Sequence, residues 1–290
     1  MQIVKIMGGL GNQMFAYAFA MALRELGREV ALDVSWHDRH EAHNGWELDR
    51  VFELDMPIAA EGDRNRLADL SDGFHSRLRR KLFGPWRGHI VERGDGYDPR
   101  YRELAGDAYF DGYWQSPLYH AGIEAAIERS FRFPADLEPG AVACLRASEG
   151  RIRIGVHVRR GDYTESEELG GVCGQAYYEK AIAALAGQSK EPLLLFFSDD
   201  LDWCKDRLGG RFDSTYVDWN RGADSWRDMR LMTLCDRLAI SNSSFGWWGA
   251  RLGRFGRAIA APDRWYGGRH RDNPSIAPAA WIRIPAGGEA

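Results

Sequence analysis

Residues 152–163 read I-R-I-G-V-H-V-R-R-G-D-Y, and the reading of this stretch decides the fold. Ile152, Ile154, Val156 and Val158 alternate with other residues, the period-two signature of a strand. The strand runs into His157, Arg159, Arg160, Gly161 and Asp162, a cluster that no apolar core would select. Two arginines at the carboxyl end of a strand suit an anion, because guanidinium offers a rigid fork of donors to phosphate oxygens and stays charged at any working pH. Ligands of open α/β sheets lie outside the carboxyl ends of the strands. A phosphate-bearing ligand at Arg159 and Arg160 is therefore one reading. The other pairs both arginines with Asp162, Glu165, Glu167 and Glu168 on a solvated loop. Arg160-Gly161-Asp162 also spells an adhesion signal, but so short a string recurs by chance and nothing else in the chain looks extracellular.

The same grammar recurs on either side. Leu193-Leu194-Leu195-Phe196-Phe197 is a continuous apolar run of the kind that forms a buried parallel strand, and it ends in Ser198-Asp199-Asp200. Leu238-Ala239-Ile240 runs into Ser241-Asn242-Ser243-Ser244-Phe245-Gly246-Trp247-Trp248, where hydroxyls at a strand end precede a helix amino terminus, an anion cradle. At the start of the chain, Ile3 to Met7 lead through Gly8-Gly9-Leu10-Gly11-Asn12-Gln13 into a helical pattern carried by Met14, Phe15, Ala18, Met21, Ala22 and Leu26. That glycine turn is neither a Walker loop, since no Gly-Lys-Ser/Thr follows, nor a dinucleotide fingerprint, since Met14 stands where the third glycine belongs. By itself it fits a tight turn.

Further strands are expected at Val30–Val34, Tyr109–Trp114, Thr215–Val217, Ala258–Ala261 and Trp281–Pro285. Helices are expected over Gln175–Leu185, Leu201–Leu208 and Trp226–Leu234, the last with Asp228 and Arg230 outward. Pro117 suits a helix start, with Ile123, Ile127 and Phe131 on one face. Pro134 and Pro139 read as a link. Strand and helix alternate throughout, which predicts an α/β chain with parallel sheets. The domain boundary is placed near residue 150, giving domains 1–150 and 151–290.

Length and composition bound the rest. A chain of 290 residues makes one large domain or two ordinary ones. The net charge of −4, with no basic run beyond Arg79-Arg80-Lys81, argues against nucleic acid as the main partner. Eleven tryptophans and eleven tyrosines fit either sugar stacking or a large core. Cys144, Cys173, Cys204 and Cys235 include no C-x-x-C pair and read as buried thiols of a reducing compartment. The amino terminus enters a strand directly, without a signal peptide, and no run of about twenty apolar residues is present, so a cytoplasmic protein is expected. His37, His40 and His43 at spacing three invite a metal reading, which the turn at Asn44-Gly45 argues against. Residues 59–96 are polar, arginine-rich and poorly periodic. The wider stretch 59–108 is where acceptor choice is expected to lie.

His157-Val158-Arg159-Arg160-Gly161-Asp162-Tyr163 resembles the H-x-R-R-G-D-Y motif of α1,2-fucosyltransferases, glycosyltransferase family eleven, which share motifs with α1,6-fucosyltransferases and protein O-fucosyltransferases. G-G-L-G-N-Q-M-F over residues 8–15 resembles the opening motif of the same family. Phe197–Asp200, followed by L-x-W-C, resembles a second motif, and Asn242–Ala250 a third. The four matches fall in order along nearly the whole chain. The resemblance implies two Rossmann-like domains facing across a cleft (glycosyltransferase B type), with the acceptor side in the first domain and GDP-fucose held mostly by the second. It implies inverting transfer of L-fucose to O2 of a terminal β-galactoside, with no metal and no cofactor beyond the co-substrate. Animal members carry a membrane anchor; a chain without one is expected to act on bacterial surface glycan precursors in the cytoplasm, with peripheral attachment at the inner face of the membrane left open.

Residue by residue, the resemblance puts Asn12 beside the nucleotide sugar near the reacting centre, with Gln13, Gly9 and Gly11 around it. An amide suits that place because it bonds neutral sugar oxygens without adding negative charge near a diphosphate. Arg159 is expected to stabilise the departing GDP, assisted by Ser243, Ser244 and the amides after Gly9, with Phe245 nearby. Arg160 is read as sharing phosphate and ion-pair roles, and His157 as touching the nucleotide or buttressing Arg159. One of Asp199 and Asp200 caps a helix, and the other is open to guanine's N1–H and 2-amino group. His43, Trp46 and Trp114 are expected on the acceptor side. Asp162, Glu165 and Glu167 are candidates for the base, and a loose, oxocarbenium-like route needs none. Competing readings are another GDP-sugar such as GDP-mannose or GDP-rhamnose, another linkage, a glycan-binding protein without catalysis, and a nucleotide sensor.

Overall fold

The structure, a computed structural model, describes all residues except 41–42, 69, 71–72, 85, 87, 95, 188–190, 255, 269–272 and 288–290. The chain divides into two units, Met1–Ser130 and Phe131–Ala290.

In the first unit, β1 (Gln2–Lys5) feeds α1 (Leu10–Glu25), then β2 (Val30–Asp33). Three helices follow: α2 (Leu48–Val51), α3 (Glu61–Leu67) and α4 (Phe74–Phe83). Then come β3 (His89–Val91), α5 (Arg100–Glu103), β4 (Ala108–Asp111), a 3-10 turn over Pro117–His120 and α6 (Glu124–Ser130). The four strands pair in parallel in the order β2-β1-β4-β3. Neighbours β1 and β4 are far apart in sequence, so their carboxyl ends flank the point where the strand order reverses. Helix α1 lies almost wholly buried along this sheet, and Phe19 stacks on Trp114 at 4.4 Å.

The second unit opens with α7 (Pro139–Ala147) and continues β5 (Arg153–Val158), α8 (Gln175–Ala186), β6 (Leu193–Ser198), α9 (Leu201–Leu208), β7 (Ser214–Tyr216). After a short 3-10 turn come α10 (Trp226–Thr233), β8 (Arg237–Ala239), α11 (Ser244–Arg251), β9 (Ala258–Pro262) and β10 (Ile282–Ile284). Its six strands run parallel in the order β10-β9-β8-β5-β6-β7. Counted from β5, that is the doubly wound Rossmann order, with the topological switch between β5 and β8. Val156, Val158, Tyr178, Leu194 and Phe196 pack in one core cluster.

The expected α/β class and parallel sheets hold, and several local expectations do not. The division falls after Ser130, not near residue 150. Residues 131–150 pack into the second unit: Phe131 meets Trp248 edge-on, the Arg230 guanidinium donates to the carbonyls of Ala135 and Asp136, and Glu138 accepts from Trp219 and Asn220. The supposed link contains α7. Arg230 is buried at those carbonyls, and Asp228 accepts from Asn220 at 2.8 Å, so neither is an outward-facing charge of α10. Pro117 starts a 3-10 turn, and the aperiodic stretch holds α3, α4 and β3. Trp114 is fully buried, because its positive φ of 55° turns the indole back onto Phe19 and Phe110.

Candidate active site

Three adjacent strands of the second unit end together. β5 ends at Val158, opposite Ser198 of β6, and β8 ends beside Val156 at Ala239. The Ser241 N–H donates to the His157 carbonyl at 3.1 Å, carrying the pairing one step beyond β8. This gathers His157–Asp162, Asp199–Asp200 and Ser241–Phe245 at the carboxyl edge of one sheet, around its switch point. Every one of these residues was singled out from the sequence except Ser241 and Asn242, which lay inside a quoted motif.

The arginines divide their work. Arg160 is held on three sides: its N–H donates to Asp199 Oδ1 at 2.9 Å, its Nε to Asp200 Oδ2 at 3.2 Å, and its guanidinium lies 4.2 Å from the Trp203 ring centroid. Cation–π contact and ion pair together make it a strut between β5 and α9. Arg159 is the more open of the two, with 32% of its side chain exposed. It pairs with Asp162 at 2.8 Å and Asp199 at 3.1 Å and lies 5.6 Å from the Tyr163 ring centroid. Glu165, Glu167 and Glu168 stand exposed on the next turn. Gly161 lets the loop pass close to Asp199: a Cβ there would meet Asp199 Oδ2 at 2.7 Å and push that carboxylate aside.

Asp200 is the helix cap. Its Oδ1 accepts from Trp203 N–H at 3.0 Å while Oδ2 holds Arg160. Asp199 has both oxygens engaged, by the Arg160 N–H and the Arg159 guanidinium. As folded here, these carboxylates act first as counter-charges that aim the arginines.

His157 is buried, with Nδ1 3.0 Å from Ser241 Oγ and its ring stacked at 5.8 Å on Phe245. Burial, then the Arg159 charge, push its pKa down to about 4, so the ring is neutral at neutral pH. Gly246 makes the stacking possible, since a Cβ at that position would come within 2.6 Å of His157 Nδ1. Ser243 is buried at the N-cap of α11 without capping it through its side chain. Ser244 and Phe245 are half-buried in the first turn, at the positive end of the helix dipole. Asn242 donates to the carbonyls of Leu169 and Trp265, both at 3.0 Å, and so staples the loop that follows Arg159 and Arg160.

The first unit carries a second group of the expected residues. Asn12 Oδ1 accepts from Gln115 Nε2 at 2.7 Å across the β1–β4 switch, which leaves Nδ2 as the donor end of the Asn12 amide. Glu92 holds the backbone just before Gln115, accepting from Tyr113 N–H at 2.7 Å and Trp114 N–H at 2.9 Å. His43, at a positive φ of 60°, lies over Gly9. Trp46 is half-buried, 6.1 Å from the His37 ring.

Gly11 and Gln13 serve differently from expectation. Gly11 is buried inside α1. Gln13 donates to the carbonyls of Gly8 and Gly45 and accepts from Glu47 and Leu48 N–H, so its amide is spent on joining the glycine turn to the 45–48 loop. The amides after Gly9 are not an open cradle either. Leu10 N–H donates to the buried Glu47 carboxylate at 3.2 Å, while Asn12 and Gln13 N–H return to the Gly9 carbonyl. Burial pushes the Glu47 carboxyl pKa up. Among the described residues no group of three or more His, Cys, Asp or Glu is placed to hold a metal ion. The four cysteines are free thiols.

Comparison with known proteins points the same way. Residues 97–284 match the model of "Glycosyl transferase family 11". The chain is 31% identical to the O-antigen biosynthesis glycosyltransferase WbnK of Escherichia coli, over 96% of this chain and 98% of that protein. It is 28% identical to an alpha-1,2-colitosyltransferase of Escherichia coli, over 97% and 98%. It is 27% identical to the galactoside 2-alpha-L-fucosyltransferase Sec1 of Mus musculus, over 86% of this chain but 63% of the mouse protein. In fold it resembles the fucosyltransferase NodZ from Bradyrhizobium, with a TM-score of 0.55 at 18% identity, covering 94% of this chain and 98% of that one. With the family model spanning well over half of the sequence and including the paired arginines and the Ser241–Phe245 turn, the chain belongs to glycosyl transferase family 11.

Proposed function

We propose that this protein transfers L-fucose from GDP-fucose to O2 of a terminal β-galactoside on a bacterial surface glycan precursor, with inversion at the anomeric carbon. The observation that carries the reading is the meeting of Arg159, neutral His157 and the Ser243–Phe245 helix start at the switch point of the second sheet. In support of the donor, NodZ was solved after soaking with GDP-fucose. In support of the linkage and setting stand the names of the mouse and Escherichia coli relatives.

In this reading the second unit binds the donor. Arg159 exchanges Asp162 for a diphosphate oxygen and stabilises the charge that grows on departing GDP, the part a divalent cation plays in other transferases. The positive end of α11 and Ser244 add to that field. His157, neutral and stacked on Phe245, holds the floor of the site. Asp199, with one oxygen on Arg160 N–H and the other on Arg159, keeps Arg159 aimed after Asp162 has let go. In the first unit, Asn12, its amide turned by Gln115, offers a donor suited to a sugar oxygen, and His43 and Trp46 belong to the acceptor side. No base is assigned. Asp162 is the counter-ion of Arg159; in an oxocarbenium-like path the anomeric C–O bond to GDP breaks as the acceptor O2 bonds to that carbon, and the acceptor proton passes to solvent water afterwards. The protein works in the cytoplasm, and peripheral attachment at the inner face of the membrane is compatible with this reading.

The test is incubation with labelled GDP-fucose and a panel of galactosides, followed by linkage analysis. An α1,2-linked fucosyl product is expected; transfer to no acceptor, or to another hydroxyl, overturns the reading. A second donor is favoured by one specific finding, the end-to-end match to a colitosyltransferase. Running GDP-colitose beside GDP-fucose separates the two.

A further inference from the structure

Helix α4, F-H-S-R-L-R-R-K-L-F over Phe74–Phe83, is amphipathic in the opposite sense from a core helix. A helix on a water-soluble protein turns its apolar stripe inward. Here Phe74, Leu78 and Leu82, spaced four apart on one face, are 74%, 43% and 65% exposed. Ser76, Arg79 and Arg80, on the other side, are the half-buried positions. Phe83, off that stripe, and Trp86, just past the helix, are exposed as well. Arg77, Arg79, Arg80 and Lys81 make the helix strongly basic, and it contains no acidic residue, in a chain whose net charge is −4. Arg77 and Lys81 are exposed beside the apolar stripe, and the Arg79 guanidinium lies 5.4 Å from the Trp86 ring centroid.

We propose that α4 and Trp86 dock this protein peripherally on an anionic phospholipid surface. Phe74, Leu78 and Leu82 enter the boundary between headgroups and acyl chains, Arg77 and Lys81 reach back to lipid phosphates along their aliphatic stems, and Trp86 sits at headgroup level. At ten residues the helix is about 15 Å long, about half the ~30 Å hydrocarbon thickness, so it lies on the bilayer. Among the described residues no helix is long and apolar enough to cross. Charge decides between occupants. A second copy seated on the same face across a two-fold axis would bring cation against cation, whereas phospholipid headgroups supply the missing anions. Nucleic acid would leave the phenylalanine and leucines in water. The inference deepens the peripheral attachment that the proposed function is compatible with. It does not depend on the donor or the acceptor.

Flotation of the full chain with phosphatidylglycerol/phosphatidylcholine vesicles, and with phosphatidylcholine alone, tests it. Binding to the anionic vesicles only, falling steeply with salt, is expected. L78D/L82D should lower partitioning by about tenfold or more, and R77Q/K81Q by about fivefold per charge removed. Helix α4 belongs to the first unit, so far-UV circular dichroism and a thermal melt of the full chain report folding of each variant. Absence of wild-type binding to anionic vesicles, or binding undiminished in L78D/L82D, overturns the proposal. So does a wild-type dimer in analytical ultracentrifugation that L78D/L82D dissociates, which would make the face a contact between copies. If wild-type protein floats but binds no GDP, the transferase reading fails and the membrane surface stands.

Discussion

Arg159 Nη1 lies 3.1 Å from Asp199 Oδ2, an ion pair that ties the end of β5 to the end of β6. The other end of the guanidinium holds Asp162 at 2.8 Å, on a side chain that is 57% exposed. One partner is framed by the sheet and the other is a solvent-exposed neighbour on the same loop. Surface pairs of the second kind contribute little, about 0–1 kcal/mol, so a diphosphate displaces Asp162 at small cost.

Two substitutions separate the roles of this pair. Arg159→Ala should lower transfer by about 10²-fold or more and weaken GDP in calorimetric titration, because an aimed charge in the site is lost. Asp162→Asn should keep transfer within about tenfold of wild type and leave GDP binding equal or tighter. A loss on the scale of general-base removal, about 10²–10⁴-fold in kcat at unchanged GDP affinity, would instead make Asp162 the base.

Gly246→Ala should destabilise the protein by about 1–3 kcal/mol, since the new methyl would press on His157 Nδ1 from 2.6 Å. Ser241→Ala removes the hydrogen-bond partner of the same nitrogen and should cost about 1–3 kcal/mol. Urea unfolding of each variant and of the pair checks this. Because both act on one ring, the double variant should fall short of the sum.

Asp228 and Glu138, which share Asn220 as hydrogen-bond donor, predict a pH dependence. Desolvation, with the charge of Glu138 adding to it, raises the Asp228 carboxyl to about 7. A carboxyl whose pKa rises on folding favours the fold while both states are protonated. That advantage is lost between about pH 4, where the unfolded chain ionises, and pH 7, where the folded one does. Asp228→Asn, which keeps an acceptor for Asn220, should therefore raise Tm at pH 8 and do little at pH 4. Equal shifts at both pH values would refute the assignment.

His157 titrates the other way. Its folded pKa is depressed to about 4, so its neutral form supports the fold above about pH 6.5 and that support drains away between there and pH 4. His157→Gln should flatten this acid limb in a series of melts. The acid limb of transfer should carry no inflection near pH 6.5 from this residue.

Trp114→Ala should cost about 3–5 kcal/mol, as expected for truncating a tryptophan stacked in a closed core. Trp46→Ala should cost less stability and raise the acceptor KM. Thermal melts paired with acceptor titrations distinguish the two; a stable Trp114→Ala protein with weakened acceptor binding would restore Trp114 to the acceptor side.

The strands of the second unit were legible residue by residue. Alternation in Ile152–Val158 and the unbroken run Leu193–Phe197 are local consequences of burying one or both faces of a strand, and β5 and β6 lie where those patterns end. The polar cluster after each strand was legible for the same reason: charge has no place inside the sheet, so it collects at the edge. That the second sheet is parallel follows from the alternation of strand and helix; its strand order, which sets His157, Asp199 and Ser241 side by side, does not. Residues 59–108 stayed opaque because α3, β3 and α5 are too short to show a period and because the four-residue apolar spacing of α4 is diluted by its basic residues.

What the sequence by itself determined is therefore the α/β class, the positions of most strands, and the set of side chains gathered at their ends. Tertiary structure alone decided who pairs with whom. Asp200 became the cap and Asp199 the partner of both arginines, Gln13 was spent on the 45–48 loop, Glu47 closed the turn after Gly9, and Trp114 turned inward at a positive φ. Periodicity is written in the spacing of neighbours along the chain and can be read there. A hydrogen bond between residues tens of positions apart depends on the register of sheets and the angle of a single turn, and no local pattern encodes either.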